Sequence, residues 1–216
     1  MSLKIAPSVL AADFLHLGDD IAMLNAHADI IHLDIMDGTF VPNMSFGFSV
    51  VDAVSKIATK PKDVHMMVVN PDKWIERFAK DGVEMLSFHL EAAGRKTSGN
   101  LKKIRSLGMK AGLVINPDVP VERLFTYIGK ADYFLIMSVF AGFGGQKFIY
   151  ESLDRIAALK AELVRRGDPA LIEVDGGVDL SNAGALREAG ADILVAGSTV
   201  FKAADPASMI ESLRKA

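Results

Sequence analysis

Ile30-Ile31-His32-Leu33-Asp34-Ile35-Met36-Asp37-Gly38 reads as a short strand running into a turn. His32 and Asp34 interrupt an otherwise apolar run two residues apart, so strand periodicity turns both to one face. Imidazole and carboxylate groups are costly inside an apolar wall unless they are paired or bind a metal. Two more runs carry such residues near their C-terminal ends: His65 in Lys62–Val68 (KDVHMMV) and Asp175 in Leu171–Val178 (LIEVDGGV). In a barrel of parallel strands those ends meet at one rim, where such folds keep their chemistry. Two neutral imidazoles and two carboxylates make an N/O donor set for one divalent metal ion, with Zn, Fe(II), Mn and Co all suitable. Two carboxylates can also act as acid and base on opposite faces of one carbon.

The same strand pattern recurs along the chain. Strands are expected at Lys4–Ser8, Asp29–Met36, Lys62–Val68, Glu84–Leu90, Lys110–Ile115, Tyr133–Val139, Leu171–Asp175 and Asp192–Ala196. Helical patterns lie between them, as in Pro71–Lys80 and Tyr150–Arg166. In the latter, Leu153, Ile156, Ala157, Lys160 and Leu163 follow three-to-four spacing. Asn70-Pro71, Asp118 before Pro120 and Asp179 before Ser181 are helix-opening signals. Eight alternating strands and helices predict an α/β fold, a (β/α)8 TIM barrel formed as one domain over residues 1–216. A doubly wound open sheet is the competitor, and the count of eight favours closure. The phrases DGVEMLSFH, LGMKAGLVI and AGADILVAG resemble one another and read as a recurring helix–Gly–strand joint.

Composition narrows the function classes. The 216 residues are half hydrophobic, with 24 Lys and Arg against 27 Asp and Glu. A net charge of −3 leaves no basic footprint for nucleic acid or an anionic membrane. The chain has no cysteine, which excludes disulfides and thiolate sites. No apolar run approaches the ~18 residues that span a bilayer. The opening MSLKIAPSVLAADF lacks the basic-then-apolar layout of a signal peptide, so a cytoplasmic protein is expected.

Each motif also has a purely structural explanation. A lone His-x-Asp is commonly a buried hydrogen-bonded pair. Four donors of matching chemistry at strand ends are harder to explain that way. His16 and His27 read as solvated, whereas His89, beside Glu91, ends strand four and can support a ligand from behind. A second constellation is glycine-rich: Gly142-Phe143-Gly144-Gly145 after strand six, Gly176-Gly177 after strand seven, and Gly197-Ser198 after strand eight. Single glycine loops make turns. Three in adjacent positions present bare N–H groups that hold a phosphate without a lysine, and barrels keep that site after strands seven and eight. Met36, Met67 and Met137 each close a strand, where they either fill core or floor a site with soft, weakly solvated sulfur. Asp37–Asn43 reads as a loop rimming the pocket.

Taken together, SVLAADF, HLDIMDGTFVPN, DVHMM, GFGGQKF, EVDGGV and AGS resemble the ribulose-phosphate 3-epimerase family, in order and at the family's spacing from Lys4 to near the C-terminus. The resemblance implies a (β/α)8 barrel that interconverts D-ribulose 5-phosphate and D-xylulose 5-phosphate through an enediolate, in the pentose phosphate pathway. It implies a metal held at His32, Asp34, His65 and Asp175, with Asp34 and Asp175 as the acid/base pair. Phosphate would rest on Gly142–Gly145, Gly176–Gly177 and Gly197–Ser198. Ser8 matches a substrate-contacting serine, and a homo-oligomer is expected. The family generally has a polar residue and proline before GFGGQ, where this chain has Phe140-Ala141. Alanine does not fix φ, so a looser loop over the substrate is expected. Met66, where leucine is usual, conserves volume. D-Allulose 6-phosphate 3-epimerases tend to show GFAGQ and DGS, so GFGGQ and DGG here favour the pentulose. A Schiff-base aldolase would need a buried lysine at a strand end, and none stands out. A phosphosugar-binding protein would need no such pair of aspartates.

Overall fold

Short runs rich in β-branched and aliphatic residues form eight parallel strands: β1 (Lys4–Ala6), β2 (Ile31–Met36), β3 (Lys62–Met67), β4 (Met85–His89), β5 (Lys110–Ile115), β6 (Tyr133–Met137), β7 (Leu171–Asp175) and β8 (Ile193–Val195). The computed structural model describes residues 3–216; Met1 and Ser2, which fall within the expected domain span, lie outside the described residues. The sheet order is β1-β8-β7-β6-β5-β4-β3-β2. Between β1 and β2 the ends meet through Asp29 N–H to Ile5 O and His32 N–H to Pro7 O, both 3.1 Å. The expected (β/α)8 barrel is therefore the fold, and each strand lies within its expected range, trimmed by at most two residues at either end.

The strands are wrapped by α1 (Leu17–His27), α2 (Phe48–Ile57), α3 (Ile75–Lys80), α4 (Leu90–Ala93), α5 (Thr97–Ser106), α6 (Ser152–Arg166), α7 (Ala183–Ala189), α8 (Ser198–Phe201) and α9 (Pro206–Lys215). Two expected helices are modified. Pro71–Lys80 divides into a 3-10 turn, Pro71–Lys73, and α3, with Trp74 between them. After Asp118 and Pro120 the chain forms a 3-10 helix, Val121–Tyr127, which buries Val121 and Leu124 at three-residue spacing. β-Branched and aromatic side chains in VERLFTY weaken the α-helical alternative. The buried stripe of α6 runs through Ile156, Leu159 and Leu163 rather than Ala157 and Lys160. Lys160 instead lays its stem beneath Gly190, where a Cβ would sit 2.6 Å from Lys160 Cγ.

Alternation along each strand separates two interiors. Outward residues such as Leu33, Val64, Phe88, Leu113, Phe134 and Val174 join the helices in one large apolar core. Inward, Ile30, Met85, Tyr133 and Ile193 plug the lower barrel. Gly112 on β5 makes room for that plug: a Cβ there would lie 2.3 Å from Tyr133 Cζ. Above the plug the inward side chains turn polar. The β2–β3 register sets His32 opposite Asp63 and Asp34 opposite His65, and β6–β7 sets Met137 opposite Asp175.

The lower rim has its own order. The expected helix–Gly–strand joints are present, with Gly82, Gly108 and Gly190 all at positive φ. Acidic residues just before the even strands accept a backbone N–H from the preceding odd strand: Asp29 from Ile5 (2.9 Å), Glu84 from Lys62 (2.9 Å), Asp132 from Ala111 (2.8 Å) and Asp192 from Ile172 (2.9 Å). The carbonyls of Glu84, Asp132 and Asp192 accept from Lys110, Leu171 and Lys4, so each acid joins two odd strands. Each carboxylate also meets a cation: Arg214, Lys62, Arg105 and Lys160 in turn.

Candidate active site

Asp34, His65 and Asp175 lie toward the C-terminal ends of β2, β3 and β7, whereas His32, expected there too, is the second residue of β2 and reaches the others by its ring. One donor atom from each of the four lies within 4.8 Å of all the others. His32 Nδ1 is 2.7 Å from Asp63 Oδ2. Its Nε2 is buried without a hydrogen-bond partner and lies 3.4 Å from Asp34 Oδ1. His65 is turned the other way. Its Nδ1 faces Asp34 Oδ1 at 3.2 Å and Asp175 Oδ2 at 3.7 Å, while its Nε2 faces His89 Nε2 at 2.9 Å. A buried ring nitrogen left unpaired is destabilising unless something occupies the space before it. Two imidazole nitrogens and two carboxylate oxygens converging there can hold a metal ion, and the mixed N/O set suits a first-row divalent cation.

Electrostatics within this cluster are strongly coupled. Burial disfavours charge on His32, but Asp34 and Asp63 outweigh it and raise the imidazole well above its ordinary value. Burial likewise opposes the rise of His65, which hydrogen bonds to Asp175 and Asp34 bring about. Burial raises the Asp34 carboxyl, yet its two histidine neighbours hold it far below the carboxylate range. His89 goes the opposite way: burial, aided by His65, lowers it to about 4 despite Glu91, so it is neutral at physiological pH. Burial and Asp63 raise Glu173 well above its ordinary value.

A cavity of about 350 Å³ opens above the cluster. Asp34 and Asp175 line it, whereas His32 and His65 are wholly buried beneath. Ser8 also lines it and donates to Asp34 Oδ2 at 2.5 Å. Met36, Met67 and Met137 line the cavity while nearly fully buried. Gly142, Phe143, Gly144, Gly145, Gly176, Gly177, Gly197 and Ser198 also line it, so all three expected glycine loops reach one space. Gly176 and Gly177 have positive φ, and a Cβ on them would meet Val139 at 2.4 Å and the Phe148 nitrogen at 2.7 Å. Lys202 is the one cationic side chain in the lining among the described residues.

The chain matches the model of the Ribulose-phosphate 3 epimerase family over residues 4–201. It belongs to that family. The ribulose-phosphate 3-epimerase of Synechocystis sp. is 46% identical over 99% of this chain and 94% of its own length. That of Bacillus subtilis is 43% identical over 98% of each. Among solved structures, 3-hexulose-6-phosphate synthase aligns over 100% of this chain and 99% of its own, with TM-score 0.71 and 20% identity. N-(5'-phosphoribosyl)anthranilate isomerase from Pyrococcus furiosus aligns over 99% and 97%, with TM-score 0.69 and 11% identity. These last two likenesses concern the fold alone.

Within this epimerase family member, the loop after β6 is tied rather than loose. The Ala141 N–H, which proline would lack, donates to Asn116 Oδ1 at 3.1 Å. Asn43 Nδ2 donates to Gly142 O at 2.9 Å, and Gln146 Nε2 donates to Phe140 O and Phe143 O at 2.7 and 2.8 Å. Phe140 itself is half exposed. Sequence reasoning assigned no role to Asn116 or Gln146 and read Asn43 only as part of a rim loop, because an amide announces no role until its partners are placed. It also passed over Asp63 and Glu173. Their signal was present: Asp63-x-His65 and Glu173-x-Asp175 repeat the two-residue spacing of His32-x-Asp34.

Proposed function

We propose that the chain epimerises D-ribulose 5-phosphate and D-xylulose 5-phosphate at C3 with two aspartates and one divalent metal ion. The observation that carries this reading is the His32–Asp34–His65–Asp175 cluster beside a cavity that the three glycine loops also line. His32 Nε2, His65 Nδ1 and one oxygen from each aspartate would hold the ion. When bound, the ion supplies Lewis-acid stabilisation of negative charge at the substrate's C2 and C3 oxygens.

The chain's own groups do the proton work. One aspartate takes the C3 proton from one face, and the electron pair passes into the C2 carbonyl. The other delivers a proton to the opposite face, inverting C3, and the reverse reaction exchanges the roles. Ser8 O–H bonded to Asp34 Oδ2 keeps that carboxylate in one orientation. The methionine floor presents polarisable surface without a competing hydrogen bond. Backbone N–H groups at Gly144–Gly145, Gly176–Gly177 and Gly197–Ser198 receive the phosphate, and binding there fixes the reacting carbon. A homo-oligomer in the cytoplasm belongs to the same proposal. Leu15 and Met44, 89% and 74% exposed, are apolar surface that self-association would cover.

Elemental analysis and a coupled assay on the pentulose phosphate, with the hexulose phosphate as comparison, test the reading. Turnover of ribulose 5-phosphate by protein free of divalent metal would overturn the metal, and preference for the hexulose would overturn the substrate. For the phosphate wall, Gly197→Val is expected to raise KM sharply, since even a Cβ there would lie 3.3 Å from Ala11. Lys147→Ala, at an exposed position outside the cavity lining, leaves KM unchanged. The reverse pattern would sink the backbone cradle.

A further inference from the structure

Below the metal-ligand cluster lies a second set of buried polar groups that the proton chemistry does not use. Asp63 stands one step lower on β3 than His65 and opposite His32 in the β2–β3 register. Its carboxylate receives two short hydrogen bonds: Oδ2 lies 2.7 Å from His32 Nδ1, and Oδ1 accepts from Tyr133 O–H at 2.7 Å. His32, Asp63 and Tyr133 all have no exposure to solvent. Tyr133 comes from β6, across the barrel, and its ring fits only because Gly112 on β5 lacks a side chain. Glycine inside a strand weakens it, so the barrel gives up local stability to seat this ring.

A neutral imidazole carries its proton on one nitrogen only, and a hydrogen bond to one nitrogen decides the state of the other. A carboxylate such as Asp63 can only accept, so it draws the proton to Nδ1. Nε2, which lies 3.4 Å from Asp34 Oδ1 without a hydrogen-bond partner, is then the nitrogen that bears the lone pair once the ring is neutral. We propose that Asp63, oriented by Tyr133, is a positioning residue that fixes His32 in the tautomer able to ligate metal through Nε2. The proposal rests on the metal reading above. An amide at position 63 presents a donor and an acceptor on nearly the same outline. It no longer forces either tautomer, and half its orientations place an N–H against Nδ1.

The test uses cobalt(II) alone, titrated into the full-length apoprotein against a competing chelator, at a pH where the wild type binds it tightly. Asp63→Asn is expected to weaken cobalt binding by about 10- to 100-fold, the usual range for the partner of a ligating histidine. Tyr133→Phe removes the hydroxyl and keeps the ring, and the loss should be smaller, within about tenfold. Ile193→Val, a packing change in the same lower plug, should leave the affinity unchanged. In the cobalt-loaded protein, the paramagnetically shifted N–H resonance of the His32 ring should move or vanish in Asp63→Asn, while that of His65 stays. Asp63→Asn binding within twofold of wild type, or Ile193→Val losing as much as Asp63→Asn, would overturn the proposal. A wild-type chain that takes up no cobalt would overturn the metal reading beneath it instead.

Discussion

Asp192 at the lower rim and Asp175 at the mouth are the same residue type at opposite ends of the barrel wall; both line a cavity, but their partners differ. Asp192 accepts the Ile172 N–H, meets the Lys160 ammonium, and lends its carbonyl to Lys4. Asp29, Glu84 and Asp132 are served in similar fashion. Asp175 faces His65 across 3.7 Å and opens onto a cavity. A carboxylate whose two oxygens both accept from strand and helix is part of the frame. One that keeps an oxygen free toward a cavity can take up a cation or a proton. On the proposed reading, framework acids thus lie where strands begin and the acid/base pair toward the ends of β2 and β7.

Exchanging charge for an amide at each end should break this comparison most sharply if it is wrong. Asp175→Asn is expected to cut turnover by ~100-fold or more, the usual scale of a general acid or base, while the thermal melt of the metal-free protein stays near wild type. Asp34→Asn should match that loss and release metal as well. A variant with near-wild-type kcat would remove its aspartate from the acid/base pair. At the lower rim the effects should invert. Asp192→Ala leaves the Ile172 N–H without its acceptor and should cost ~1–3 kcal/mol of stability, seen in denaturant unfolding, with kcat within about twofold. A large fall in kcat at unchanged stability would show that the lower rim is not inert.

The smallest effect concerns pH. In the metal-free chain His32 and His65 are raised above the ordinary imidazole value of 6.5. A raised group gives its full stabilisation below the unfolded pKa and loses it as pH climbs through the folded one. The metal-free protein should therefore weaken as pH rises above about 6.5. Ligation needs unprotonated rings, so competition from protons fades over the same window. The gain in melting temperature on adding cobalt(II) should widen by a few degrees between about pH 6 and pH 8.5. A gap that stays constant or narrows would take the imidazoles out of the ligand set.

The fold was legible because its signal is repetitive. Eight apolar runs of similar length leave little choice of architecture, and polar residues at strand ends such as His89 and Asp175 mark the upper rim without reference to distance. What escaped depended on register and on contacts across the barrel. Nothing local to Asp63 says that it will stand opposite His32, or that Tyr133, seventy residues on, will reach it. The girdle acids were missed for a related reason: Glu84 and Asp192 looked like part of a joint, and their function is to meet a strand that comes earlier in sequence. The loop after β6 was misjudged because the absence of proline was read as freedom, when the N–H that replaces it finds Asn116.

The cover of the cavity is held by Asn43, Asn116 and Gln146, and all three are uncharged amides. None of them titrates, and none is screened by salt. Charge placed beneath them would alter the local potential without loosening their grip. Heat acts differently, because it loosens hydrogen bonds at a solvent-facing loop even where Ala141 packs on the apolar clusters around Val139 and Val41. The cover should therefore keep time by temperature and ignore ionic strength, while the charged site beneath it responds to both.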